Sequence, residues 1–168
     1  MVVTTPAFAQ IRADNPSNIS ASTGSWAIQA IGQNQTPSNS AYTIIWAVNK
    51  GTAYSFFSFR NTGSFTVTSF QVSVTQSQIG GSGKPPDTTF DLCSNGIWDA
   101  TTNICSGTVV TIGTSADLIL TFTNLNFASG SDLSMRAKTK PNLQNAFTTT
   151  LSASVDRTKV RSGTTINS

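Results

Sequence analysis

The chain contains no histidine and no glutamate, so the seven acidic residues among its 168 are all aspartate. Histidine is the usual general base near neutral pH, the partner of nucleophilic triads and the commonest zinc ligand. Its absence sets those chemistries aside, and the expectation is a protein that is not an enzyme and holds neither metal nor cofactor. Charge of either sign is scarce: 10% of residues are charged, against about 25% in typical soluble domains. Ser, Thr, Asn, Gln and Gly carry the polarity instead. A surface of this kind gives little charge repulsion between copies, which suits secreted and self-assembling proteins. No apolar run approaches the ~18 residues of a membrane-spanning helix, so no span is expected. Helical periodicity is missing from every window of ten residues, which leaves room for a turn or two of helix around 141–145.

Cysteine occurs only at Cys93 and Cys105, separated by S-N-G-I-W-D-A-T-T-N-I. A redox or metal site would want closer spacing and more ligands. The pair reads as one structural disulfide in an oxidising compartment, worth ~3 kcal/mol for a loop of this length; the other reading is two buried free thiols. The net charge of +3 and pI near 9.1 raise the question of nucleic acid. Six basic residues, Arg136, Lys138, Lys140, Arg157, Lys159 and Arg161, lie in the final third. Arg136, Lys138 and Lys140 alternate with Leu133, Met135 and Ala137, the pattern of a strand with one solvent face. No recognition helix, zinc spacing or ribonucleoprotein signature accompanies them, so no nucleic-acid partner is expected.

What the chain has in abundance is strand chemistry, densest at 53–76. Two aromatic and β-branched arms flank Asn61-Thr62-Gly63, a turn sequence. Tyr54 and Phe56 share one face of the first arm and Phe57 and Phe59 the other, which predicts a central strand. On the second arm Phe65 and Val67 fall in one phase and Phe70, Val72 and Val74 in the other, so a bulge or bend is expected at 68–69. Further strands are expected at 25–31, 42–48, 88–93, 107–112, 117–123, 133–139 and 146–156, with Leu118, Leu120 and Phe122 inward in the third last. The Gly- and Pro-rich 79–87 reads as a loop; its Gly-Gly-x-Gly-Lys lacks the spacing of a phosphate cradle. The fold class is therefore all-β, a single β-sandwich of about nine strands with jelly-roll or immunoglobulin-like wiring.

The domain is expected over 24–157. Before it, Ala7-Phe8-Ala9 has the small-x-small form of a signal cleavage site, which makes 1–9 a candidate signal remnant. Residues 10–23 form a polar leader, and 158–168 a polar tail. Ser17 to Trp26 (S-N-I-S-A-S-T-G-S-W) and Phe57 to Thr68 (F-S-F-R-N-T-G-S-F-T-V-T) resemble TasA and camelysin-like secreted proteins. The resemblance implies a jelly-roll-like secreted subunit that polymerises into surface or biofilm fibres by lending an N-terminal strand to its neighbour.

The expected function is thus a structural subunit of an extracellular or cell-surface filament, a homo-oligomer built by strand addition. Ile11 and Ile19 of the leader are the candidate subunit contacts. The rival is a carbohydrate-binding or adhesin module for surface glycans, drawing on the supply of rings. Trp98, at the centre of the disulfide loop, is its candidate stacking residue, unless it plugs the edge of the core.

Overall fold

Alternation of apolar and polar side chains over short stretches, punctuated by Gly, Pro and Asn, leaves the backbone few options besides paired strands. The computed structural model describes residues 24–32, 35–36, 41–81 and 83–155, so the expectations placed on 1–9, 10–23 and 158–168 lie outside the described residues. The described chain is nearly all β. Its strands are β1 (Ile28–Gly32), β2 (Tyr42–Trp46), β3 (Tyr54–Asn61), β4 (Phe70–Gln78), β5 (Thr88–Ser94), β6 (Trp98–Asp99), β7 (Ile104–Cys105), β8 (Thr108–Thr114), β9 (Ile119–Phe122), β10 (Asp132–Thr139) and β11 (Phe147–Val155).

Two antiparallel sheets contain nine of them. The larger has the order β1-β3-β10-β5-β8 and the smaller β2-β11-β4-β9, while β6 and β7 pair with each other as a ribbon. The partners are nested: β5 with β8, β3 with β10, β4 with β9 and β2 with β11. From β2 onward the chain is therefore one long folded-back ribbon whose tip is the β5–β8 excursion. That ribbon is rolled so that β11 meets β4 and β10 meets β5.

Rings close the space between the sheets. Phe59 of the larger sheet meets Phe70 and Phe122 of the smaller edge-on, each with centroids 5.4 Å apart, and those two stack on each other at 4.4 Å. Edge-on and offset stacks each contribute ~0.5–1.5 kcal/mol beyond area burial. Polar bonds join the sheets too: Gln76 Nε2 of β4 donates to Thr88 Oγ1 of β5 at 3.0 Å. Gln76 also donates to Thr149, which accepts from Trp46 Nε1.

The structure departs from the expected strands where the chain changes sheet. After Asn61 it leaves the larger sheet, and it enters the smaller only at Phe70, so the phase slip between Val67 and Phe70 is this crossover. Phe65 is exposed and packs on Trp26 at 4.7 Å. Asn61 is no exposed turn residue: fully buried, it donates through Nδ2 to the carbonyls of Phe65 and Phe127, both at 2.8 Å. Leu118, expected to face inward, is exposed with φ 59°, because the residues before it form a short 3-10 helix, Ser115–Asp117, at the passage from β8 to β9. No helix occupies 141–145.

Candidate assembly edges and the covered face of the larger sheet

Among the described residues each sheet ends in two edge strands: β1 and β8 in the larger, β2 and β9 in the smaller. An edge strand presents a row of unpaired N–H and C=O groups, and natural proteins blunt such edges with charge, proline or bulges. Here the edges read IQAIG, TVVTIGT, YTIIW and ILTF. None carries a charged residue or proline. Every charge within the two sheets, Arg60, Asp91, Asp132, Arg136 and Lys138, lies instead on β3, β5 or β10, strands with a neighbour on both sides. Protection therefore stands where pairing is already complete. Only β8 has a bulge, opposite Phe90 and Asp91.

On the outward face of the smaller sheet the two central strands are wholly hydroxyl and amide. β4 presents Gln71, Ser73, Thr75 and Ser77, and β11 presents Thr148, Thr150, Ser152 and Ser154. The large apolar side chains exposed on this face stand on the two edges, Ile45 of β2 at 72% and Ile119 of β9 at 49%.

The outward face of the larger sheet is different. Its central rungs pair Tyr54 with Lys138, Phe56 with Arg136, Ser58 with Ser134, and Arg60 with Asp132. The β6–β7 ribbon lies over this face, held by the Cys93–Cys105 disulfide and by the Trp98 amide donating to Ser134 Oγ at 3.0 Å. Beneath it Arg136 Nη2 donates to Asp91 Oδ2 at 2.7 Å, Nη1 donates to Asn103 Oδ1 at 2.8 Å, and the guanidinium sits 3.9 Å from the Trp98 ring centre. Thr111 donates to Asp91 Oδ1, and the Lys138 ammonium is 3.3 Å from Oδ2. Burial pushes the Asp91 carboxyl up, but the hydrogen bonds from Arg136 and Thr111 and the charge of Lys138 outweigh it and hold it below the usual carboxylate range. Arg136 and Lys138 point outward as the alternation predicts, yet Arg136 is largely covered by the ribbon, and both reach a buried acid from the next strand, Lys138 while staying partly exposed.

No family model, curated protein or solved structure matches the chain. The residues themselves carry the functional reading. Cys93 and Cys105 are joined as a disulfide. Ile11 and Ile19 lie outside the described residues. Trp98 is 6% exposed, with Arg136 against its face, so it offers no open ring to a sugar; it lines a shallow cleft with Phe56, Ser58 and Ser134. Among the described residues no group of three potential metal ligands comes together, and no helix is long and apolar enough to cross a membrane. Sequence reasoning passed over Ile45 and Ile119. Both stand out of phase with buried neighbours on short strands, a signal that becomes legible only once those strands are known to be edges.

Proposed function

We propose that this chain is a structural subunit that assembles with copies of itself by β-strand addition at open sheet edges, in an extracellular or cell-surface filament. The observation that carries the reading is the placement of charge: the four edge strands are free of charge and proline, while the charges within the two sheets stand on β3, β5 and β10 of the larger one. Main-chain pairing at such an edge needs no side-chain site, which fits a chain without histidine or glutamate. The nested strand pairing supports a two-sheet sandwich of jelly-roll wiring, an eight-stranded roll from β2 to β11 with β1 added beside β3 and the β6–β7 ribbon as an insertion. The disulfide supports an oxidising compartment, and the resemblance to TasA and camelysin-like fibre proteins agrees with both. Negative-stain microscopy and light scattering on the purified protein test the reading. Filaments or concentration-dependent oligomers are expected; monomers at every concentration and salt would overturn it.

A further inference from the structure

We infer that the growing contact joins β9 of one copy to β2 of the next, antiparallel and in one register. This rests on the self-assembly reading above and narrows it to a pair of edges. In the smaller sheet four strands alternate in direction, so β2 and β9 run oppositely. A copy placed beside another in the same orientation then brings β9 against an antiparallel β2. The larger sheet has five strands, and by the same alternation β1 and β8 run the same way, which would give the slanted, slightly weaker parallel pairing.

The side chains match in one register. Setting Ile119 opposite Ile45 of the next copy also sets Leu120 opposite Ile44, Thr121 opposite Thr43 and Phe122 opposite Tyr42. Inward residues (Leu120, Phe122; Ile44, Tyr42) continue the core, and outward residues (Ile119, Thr121; Ile45, Thr43) continue the outer face. The two isoleucines exposed on that face cover each other, and Thr meets Thr, both favourable cross-strand pairs. The occupant is a second copy because the edge complementary to β9 in phase and side chain is this chain's own β2.

The contact is heterologous, so it propagates. Ile45 is level with Thr148 of β11, and Ile119, through Ser73, with Ser152. The step between copies is therefore 152 − 148, four residues, or about 14 Å along the strands. An array in which every copy repeats the same step cannot close on itself at that contact and grows as a fibre.

Ile45→Lys and Ile119→Lys test this, since both side chains are exposed and the substitutions leave the core untouched. Each variant alone should need at least ~10-fold higher concentration to assemble, by sedimentation, while Val109→Lys on β8 should assemble within ~2-fold of the parent. A heterologous contact makes a sharper demand: each variant keeps one sound edge, so an equimolar mixture of the two should stop at dimers, and each should cap parent fibres at substoichiometric amounts. Assembly blocked by Val109→Lys but not by Ile45→Lys or Ile119→Lys would overturn the assignment of edges and leave self-assembly standing. So would a mixture that stays monomeric while the parent polymerises. A parent chain that never assembles would overturn both.

Discussion

The buried carboxamide of Asn61 donates to two carbonyls, Phe65 in the β3–β4 crossover and Phe127 in the β9–β10 connection, and its Oδ1 accepts from the Gly63 amide at 3.0 Å. Asn61→Ala takes the side-chain donor from the Phe65 carbonyl, while the Phe127 carbonyl keeps the Val67 amide at 2.9 Å. A loss of about 1–3 kcal/mol is expected for the group left without its partner, read from urea unfolding. Asp91 is a second such case with a pH signature. Its folded carboxyl titrates below the ordinary range, so the unfolded chain holds more protons as pH falls. The stability from its partners is complete above the unfolded value of about 3.9 and is lost as pH drops through the folded one. Asp91→Asn should flatten this acid dependence, and Arg136→Met, which leaves a buried carboxylate with Lys138 as its remaining charge partner, should cost ~3 kcal/mol at neutral pH. Neither role was legible in the sequence. Asn61 stands in a turn tripeptide, and the Arg136 and Lys138 alternation says which face they take but not what covers it.

The β6–β7 ribbon is the element that makes the larger sheet's outer face an interior. Its own pairing is two residues a side, far too little to hold it in place, since even an isolated longer hairpin is marginal in water. The disulfide and the contacts of Trp98 and Asn103 with β10 supply the rest. Reduction should therefore lower stability by ~3 kcal/mol and open Trp98 to acrylamide quenching, while Trp46 in the core stays protected. A reduced protein with unchanged quenching would mean that the ribbon is held by its side chains alone. The sequence gives the cysteine pair and the ring between them, because spacing and composition are local. It is silent on where the ribbon lands, which depends on β10 lying between β3 and β5.

At the scale of the molecule the same division holds. Strand positions and phases from Phe70 to Gln78 and from Phe147 to Val155 follow from alternation, since each residue's face is set by its neighbours. The nested pairing does not, because any strand with one apolar face accepts several partners, and register is decided by long-range contacts such as Phe59 between Phe70 and Phe122. Assembly inherits this logic and yields a last expectation. If copies join through edges without charge, the attraction is main-chain pairing and isoleucine contact, and neither is screened by salt. The net charge of +3 contributes only weak repulsion, which a shorter Debye length removes. Raising NaCl from about 0.05 M to about 1 M should therefore leave the critical concentration unchanged or lower it slightly, as followed by light scattering. Fibres that dissolve in the salt would instead be held by ion pairs, and the charged central strands, through Arg60, Asp132 or Lys138, would have to form the contact in place of the edges.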